Sequence, residues 1–382
     1  MRYTIGQLAE IIDGDRGKNY PKQDEFYPQG YCLFLNTGNV TKEGLTFEEN
    51  QFITKEKDEA LRKGKLKRGD IVYTTRGTVG NAGYYNSNVP YENVRINSGM
   101  VILRANGEIV DARFLYQILK SEYYRPYFKQ YCTGSAQPQL PIKNFSQIYL
   151  NVPDIKTQHR IADILSSYDD LIENNQKQIK LLEEAAQRLY KEWFVDLRFP
   201  GHENTKIVDG VPEGWSRGLL KELISVNYGK DHKKAPDDGN IPVYGSGGLM
   251  RKCNKSLYSG EAVLIPRKGS LNNIMYVDET FWTVDTMFYA TMKQPHTANF
   301  VYFFVKAFDM YSMNIGAAVP SMTTKILDAM DVVIPDKETL EKFDKYAKVY
   351  FNKIKTLQRQ NEQLKTARDL LLPKLMSGEV EV

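Results

Sequence analysis

Apolar residues recur along this chain in two long stretches, residues 157–194 and 338–376, with the same spacing in both. In the first stretch the positions of this seam fall at alternating steps of four and three residues, and all but one are apolar or aromatic: Ile161, Leu165, Tyr168, Ile172, Asn175, Ile179, Leu182, Ala186, Leu189 and Trp193. Positions 182 residues further on repeat this seam, at Phe343, Ala347, Tyr350, Ile354, Leu357, Asn361, Leu364, Arg368, Leu371 and Leu375. A 3.5-residue repeat is typical of a helix packed lengthwise on another helix. The pattern therefore predicts two matched long helices.

The segments that precede these helices also repeat one plan. Both are predicted as α/β-mixed domains, and the first is expected to open with a short helix at residues 5–12. Gly134 and Pro153 have the same separation as Gly316 and Pro335, which indicates a tandem duplication. The predicted organisation is a first domain at 1–153, a long helix at 154–195, a connector at 196–211, a second domain at 212–335 and a second long helix at 336–378.

The length of the connector constrains how the two helices pair. A helix of about 38 residues is about 57 Å long, and a connector of about 16 residues reaches at most about 53–58 Å. Parallel helices would need the whole connector as a return path, so the helices are predicted to be antiparallel. The predicted fold class is α+β, with two globular α/β-mixed domains separated by two long antiparallel helices that form a coiled coil, in a pseudo-two-fold internal repeat.

Three seam positions are polar. Asn175 and Asn361 could pair and so fix the register of the two helices, or they could lie at a wet edge of the seam. Arg368 could reach solvent or meet an acid, such as Glu183 or Glu184, on another chain or helix.

Composition narrows the class of protein. The chain has 382 residues, 42% of them hydrophobic and 12% aromatic, which indicates ordered domains with their own cores. Its three cysteines form no CxxC motif, which favours a reduced, cytoplasmic setting. No apolar run approaches the length of a membrane span, so no membrane association is expected. A net charge of +4 would not by itself suggest nucleic acid, and phosphate binding would have to come from local clusters.

Motifs for catalysis are missing from the sequence. There is no Walker-type phosphate loop, and the four histidines form no HExxH or other metal-ligand pattern. Gly245-Ser246-Gly247-Gly248 is predicted as a tight turn because the full dinucleotide motif is lacking. Pro153-Asp154 and Pro335-Asp336 fit helix starts better than the metal site of a nuclease, since both stand where a long helix begins. No catalytic residue and no metal site are predicted on this chain.

Polar and basic loops at matching positions are the remaining candidates for binding. A cation follows a strand in Thr74-Thr75-Arg76-Gly77 and again in Pro266-Arg267-Lys268-Gly269, where glycine allows close approach to a ligand. Taken singly, each such residue is more often a solvated charge, but their recurrence in duplicated domains favours contact with DNA. The predicted DNA-binding residues are Thr74, Thr75, Arg76, Ser135, Gln137, Gln139, Lys230, Lys233, Lys234, Ser246, Arg251, Lys252, Arg267 and Lys268.

Several motifs resemble those of the specificity subunits of type I restriction–modification systems. The segment Leu189-Tyr190-Lys191-Glu192-Trp193-Phe194-Val195 resembles the central conserved region of that family, and Pro212-Glu213-Gly214-Trp215 resembles the opening of a target-recognition domain. Tyr244-Gly245-Ser246-Gly247-Gly248, Gly134-Ser135-Ala136-Gln137-Pro138 and the closing Leu371-Leu372-Pro373-Lys374-Leu375 are also similar. The similarity covers essentially the whole chain.

The resemblance implies a non-catalytic subunit that reads an asymmetric, bipartite site in double-stranded DNA, with the helices as the spacer. Its partners would be two modification (methyltransferase) subunits and, in the full complex, restriction–translocase subunits. S-adenosylmethionine, ATP and Mg²⁺ would belong to those partners, with no cofactor on this chain. The alternatives are a coiled-coil protein-interaction scaffold without DNA specificity, which the heptads alone permit, and a self-contained nuclease or methyltransferase.

Overall fold

The fold is that of a computed structural model, which describes residues 1–134, 137–313 and 321–381. The chain forms two compact units. The first comprises Met1–Asn175 and Arg359–Val382, and the second comprises Gln176–Gln358. Within the described part of the chain, no helix combines the length and the apolar character that crossing a membrane requires.

The first unit is a mixed α/β structure around an antiparallel sheet. Its strands are β1 (Arg2–Thr4), β2 (Ala9–Asp13), β3 (Cys32–Leu35), β4 (Val40–Thr41), β5 (Gly44–Leu45), β6 (Phe52–Ile53), β7 (Ile71–Thr74), β8 (Ala82–Tyr84), β9 (Val94–Ile96), β10 (Met100–Ala105) and β11 (Tyr149–Asn151). Its short helices are α1 (Ile5–Leu8), α2 (Lys55–Ala60), α3 (Ala112–Lys120), α4 (Arg125–Lys129) and α5 (Ile142–Ser146). The long helix α6 (Ile155–Tyr190) begins in this unit and ends in a π-helical turn, Lys191–Val195.

The main sheet of the first unit has the order β2-β10-β7-β8, and β3 lies between β6 and β9 in a separate three-stranded sheet. The predicted opening helix at residues 5–12 is wrong beyond Leu8. Residues Ala9–Asp13 instead form β2, which pairs antiparallel with β10 from Ala9 opposite Ala105 to Asp13 opposite Val101. Pairing with a central strand satisfies the backbone of this segment and overrides its helical periodicity.

The second unit is built on a six-stranded sheet. Its strands are β12 (Ile207–Val208), β13 (Val211–Pro212), β14 (Ser216–Leu219), β15 (Ile224–Tyr228), β16 (Ile241–Gly245), β17 (Gly248–Cys253), β18 (Tyr258–Pro266), β19 (Met275–Thr283), β20 (Met287–Met292) and β21 (Asp331–Ile334). Its helices are α7 (Ala298–Lys306), α8 (Thr324–Asp328) and the long α9 (Lys337–Ser377), which ends in the first unit. The strand order in the large sheet is β15-β20-β18-β19-β16-β17.

The two units repeat one topology. The order β2-β10-β7-β8 in the first corresponds to β15-β20-β18-β19 in the second, with antiparallel pairing at each step. In each unit a helix follows the second strand of this order, β10 or β20, and the last short strand pairs with one that precedes the sheet in sequence, β11 with β1 and β21 with β14. The predicted α+β class, with repeated α/β-mixed domains and two long helices, is confirmed.

Both long helices begin at an aspartate cap, as predicted for the two Pro-Asp pairs. The carboxylate of Asp154 accepts hydrogen bonds from the backbone N of Thr157 at 3.1 Å and from its hydroxyl at 2.7 Å. The carboxylate of Asp336 accepts the same two bonds from Thr339, both at 2.9 Å. These contacts satisfy amide groups of the first helical turn that have no partner within the helix.

In the first unit, the start of α6 packs antiparallel on the end of α9. Ile161 and Leu165 share a buried core with Leu372 and Leu375, and further along the pair the side-chain amide of Asn175 donates to the Oδ1 of Asn361 at 2.9 Å. Of the two interpretations of these asparagines, the structure supports direct pairing inside the seam, where both side chains are buried.

Arg368 meets an acid within the same helix pair, and the suggested partners Glu183 and Glu184 are wrong. Its guanidinium lies 2.7 Å from Asp169 on α6 and 2.9 Å from Asp369. Asp169 also accepts from Lys120 of α3 at 2.5 Å and from Gln117 at 2.7 Å. Burial opposes ionisation of Asp169, but the charges of Lys120 and Arg368 outweigh it and hold the pKa of this carboxyl below its usual range.

Asp169→Ala should destabilise the chain by about 2–3 kcal/mol, because it leaves Lys120 and Arg368 without their shared anion. This is less than the ~3–5 kcal/mol for breaking a fully buried ion pair, because 24% of the Asp169 side chain is exposed. Urea unfolding followed by circular dichroism measures the loss.

Asp163→Ala on the same helix is the matched control. Asp163 pairs with Arg113 at 2.7 Å, but 63% of its side chain is exposed, so the loss should stay below about 1 kcal/mol. Equal losses from the two variants would contradict a stabilising role for the buried network.

Candidate nucleic-acid interface

In the first unit, the chain leaves β7 through a turn held by backbone hydrogen bonds. The backbone N of Thr75 and that of Arg76 both donate to the carbonyl of Gly99, at 2.9 and 3.1 Å. Leu140 N donates to the carbonyl of Thr75 at 2.9 Å, and Arg76 forms an antiparallel bridge with Gln139. This arrangement brings two predicted residues, Arg76 and Gln139, side by side on the surface, both exposed.

The second unit repeats this geometry where the chain leaves β18. The backbone N of Arg267 and that of Lys268 both donate to the carbonyl of Thr286, at 2.8 and 3.2 Å. Met322 N donates to the carbonyl of Arg267 at 2.9 Å, and Lys268 bridges Ser321. The counterpart of Arg76 is therefore Lys268, and the counterpart of Gln139 is Ser321.

The repeated turn suits contact with a polyanion. In both units a glycine with positive φ follows the exposed cation, Gly77 at 70° and Gly269 at 85°. A residue with a Cβ atom adopts this conformation only with strain, so glycine both permits the turn and keeps the backbone approachable. An arginine beside an amide in one unit and a lysine beside a hydroxyl in the other can bind phosphates or base edges.

Two predicted residues, Thr74 and Thr75, are buried and are corrections to the predicted site. The hydroxyl of Thr74 donates to the carbonyl of Thr78 and accepts from Asn81 N at 2.9 Å. The hydroxyl of Thr75 donates to the carbonyl of Gly99 at 3.2 Å. Both side chains shape the turn from inside and cannot reach a ligand.

The guanidinium of Arg251 is half-buried and forms hydrogen bonds inside the second unit, so its contact with DNA stays a prediction. It donates to the carbonyls of His232 and Ala235, the latter at 2.6 Å, and to that of Lys252 at 3.0 Å. These bonds tie the His232–Lys234 turn to β17. Arg251 therefore positions a basic loop.

Arg267 is partly held by its neighbours. Its guanidinium carbon lies 5.5 Å from the centre of the Tyr228 ring, and its Nη1 donates to the carbonyl of Asp285 at 3.4 Å. This half-buried side chain borders the turn, whereas the side chain of Lys268 is exposed.

The remaining predicted cations are exposed: Lys230, Lys233, Lys234 and Lys252. The backbone of Lys230 is fixed by its bond from N to the carbonyl of Thr283 and by the indole of Trp282, which donates to its carbonyl, both at 3.0 Å. Gln137 is exposed, and Ser246 is half-buried in the turn between β16 and β17. Ser135 and the loop 316–320 lie outside the described residues.

Sequence reasoning missed Ser321 and Tyr228. Ser321 stands 182 residues after Gln139, the offset that relates the two seams, so the repeat itself could have identified it. The stacking of Tyr228 on Arg267 has no such signal, because it depends on the pairing of β15 with β20. Across 1–134, 137–313 and 321–381, no group of three or more His, Cys, Asp or Glu side chains could hold a metal ion.

Comparison with known proteins gives consistent matches. A family model described as the type I restriction modification DNA specificity domain matches residues 1–184 and 212–366. The specificity subunit of the type I restriction enzyme MjaIX from Methanocaldococcus jannaschii is 25% identical, over 85% of this chain and 81% of that protein. The specificity subunit of the type I restriction enzyme HindI from Haemophilus influenzae is also 25% identical, over 98% of this chain and 100% of that protein.

One solved structure shares the fold across nearly the whole length. The crystal structure of the S subunit of a type I restriction–modification system from M. genitalium aligns with a TM-score of 0.58. The alignment covers 98% of this chain and 95% of that chain at 18% identity, so it supports the fold and not the individual contacts.

Arg251→Ala should loosen the loop that contains His232 and Ala235, because their carbonyls lose a charged donor. We expect faster hydrogen exchange at the backbone amides of residues 231–235, equivalent to a loss of about 1–2 kcal/mol in the free energy of local opening. Lys252→Ala, next to it and exposed, is the control and should leave exchange there unchanged. Unchanged exchange in Arg251→Ala would contradict the positioning role.

Proposed function

The chain belongs to the type I restriction–modification DNA specificity family, and we propose that it directs such a system to one asymmetric, bipartite DNA site. In this proposal, residues 1–153 read one half-site and residues 212–335 read the other. The long helices within 154–195 and 336–378 set the spacing between the halves, and residues 196–211 connect them.

The observation that carries the proposal is the repeated strand exit with different side chains. The same backbone hydrogen bonds present Arg76 beside Gln139 in one unit and Lys268 beside Ser321 in the other. An arginine can hold a guanine edge with two parallel hydrogen bonds, whereas a lysine is a compact point charge. One scaffold with two sets of contact groups supports two different half-sites.

Heptad packing supports the spacer role. Neither long helix contains a glycine. Within the first unit, Asn175 pairs with Asn361 and Asp169 pairs with Arg368. Polar pairs inside an apolar seam favour one register, because any shift would leave them buried without partners. A helix pair with one register is suited to hold two half-sites at a constant separation.

We further propose that this subunit has no catalytic site and works with two modification subunits and, in the full complex, with restriction–translocase subunits. The relatives from M. jannaschii and H. influenzae are both named as subunits of type I restriction enzymes, which supports a multi-subunit assembly. S-adenosylmethionine, ATP and Mg²⁺ are assigned to those partners, since the sequence contains no phosphate loop and no metal-ligand motif.

The proposal predicts that deleting the gene removes adenine methylation at one bipartite motif throughout the genome, and that returning it restores methylation. Methylation mapping of the parent, deletion and complemented strains measures this, with the modification subunits present in all three. Unchanged methylation at every bipartite motif would reject the proposal in favour of a protein-interaction scaffold.

Arg76→Ala and Lys268→Ala should each weaken binding to one half-site only. If Arg76 holds a guanine, its loss costs about 1–3 kcal/mol and relaxes selection at one base pair, and Arg76→Lys should not restore it. Lys268→Ala should make the slope of log K against log salt concentration shallower by about 0.9, as expected for the loss of one phosphate contact. Titrations of labelled duplexes at several salt concentrations measure both effects.

The two variants control each other. Each should leave selection at the opposite half-site unchanged. Changes at both half-sites from either variant would contradict separate reading by the two domains, and wild-type binding by both would remove these side chains from the interface.

A further inference from the structure

Strands β16 and β17 form a β-ribbon at the edge of the large sheet of the second unit. Gly245 pairs with Gly248, so Ser246 and Gly247 make a two-residue turn, and Gly248 has a positive φ of 110°. The predicted tight turn is therefore the tip of a hairpin. In the part of the first unit that the structure describes, no strand occupies the corresponding place beyond β8 in the sheet.

A bulge near the tip exposes two consecutive apolar side chains. Tyr244 pairs with Leu249, but Val243 pairs with Arg251, so Met250 is an extra residue on β17. In a regular strand neighbouring side chains point to opposite faces, and a bulge changes this alternation. Leu249 is 60% exposed and Met250 is 54% exposed.

Gly245 makes room for one of them. A Cβ atom added to Gly245 would collide with the Sδ of Met250, so the methionine lies directly across the backbone of the opposite strand. A single exposed apolar residue is ordinary, but an adjacent pair at a hairpin tip is an apolar contact surface.

The ribbon tip adjoins the candidate interface. The side-chain amide of Asn273 donates to the carbonyl of Ser246 at 2.9 Å. The Oγ of Ser246 lies 2.7 Å from where a Cβ of Gly269 would be, and Gly269 directly follows Lys268. Lys252, exposed on the same ribbon, adds a second cation. The apolar tip thus lies among groups suited to phosphates.

We propose that this ribbon enters the DNA major groove and that Leu249 and Met250 contact thymine methyl groups in the half-site read by the second domain. The major groove admits a two-stranded ribbon, and the 5-methyl group of thymine is the apolar group that base edges present there. The cations Lys268 and Lys252 are then available to the flanking phosphates. This inference rests on the proposed function and deepens it.

The test replaces thymine by deoxyuridine, one position at a time, in both half-sites of the motif found by methylation mapping. Deoxyuridine removes only the methyl group. The full chain, bound to its modification subunits, should lose about four-fold in affinity at one or two positions of a single half-site, as expected for one buried methyl group.

Leu249→Ala or Met250→Ala should abolish that four-fold difference, since the partner of the methyl group is gone. Val208→Ala, 66% exposed in the same unit, is the matched control and should preserve it. Urea unfolding of each variant should match that of the wild type, because neither side chain is part of a core.

Other results would overturn the inference. One is a motif in which the effect of deoxyuridine at every thymine position is the same with and without Leu249 and Met250. Another is a Leu249-dependent rise in the fluorescence of 2-aminopurine placed in the motif, because that rise would indicate that the ribbon unstacks bases as a wedge. If the wild-type complex binds all DNA sequences equally, both the proposed function and this inference are rejected. The results above reject the inference alone.

Discussion

The register of the long helix pair is the constraint on which both cores depend. In the first unit, Asn175 opposite Asn361 and Asp169 opposite Arg368 define one antiparallel alignment. In the second unit, Trp193 and Tyr190 pack against Phe343, which follows the same alignment. Because each helix supplies side chains to both cores, a slip of one heptad would disrupt both.

Polar groups fix that register at a cost in desolvation free energy. They are effective because other alignments would leave them buried without partners. A buried ion pair often contributes little net stability relative to apolar residues of the same volume, because both charges lose hydration. The alternatives are penalised more heavily, since any other alignment buries an unpaired asparagine, arginine or aspartate. We infer that Asp169 and Arg368 serve uniqueness of packing more than stability, as does the other polar pair of the seam, Asn175 with Asn361.

Periodic features could be predicted from the sequence, and irregular ones could not. The helices, their aspartate caps and the duplication follow from spacing, which depends only on the geometry of the backbone. The opening segment was predicted wrongly, because β2 is a strand only by virtue of its partner β10. In the candidate site, Arg76 and Gln139 are exposed and stay predictions as DNA contacts, whereas Thr74 and Arg251 form hydrogen bonds inside their own unit. Whether a polar loop residue points inward depends on distant carbonyls that no local pattern reveals.

The turn after β7 and its counterpart after β18 are held by the same backbone hydrogen bonds. This duplication explains how one fold can place different side chains at equivalent surface positions. The hydrogen bonds to Gly99 and Thr286 come from main-chain groups, so they persist whatever side chain follows the strand. The side chains at Arg76 and Lys268 are thereby released from any part in folding, and substitution there changes contacts at little cost in stability. The β16–β17 ribbon likewise separates contact residues from the residues that stabilise the fold. Its exposed tip is added to a sheet in which the strands shared by both units already form a core. Specificity can therefore vary in each half of the molecule without altering the framework that holds it.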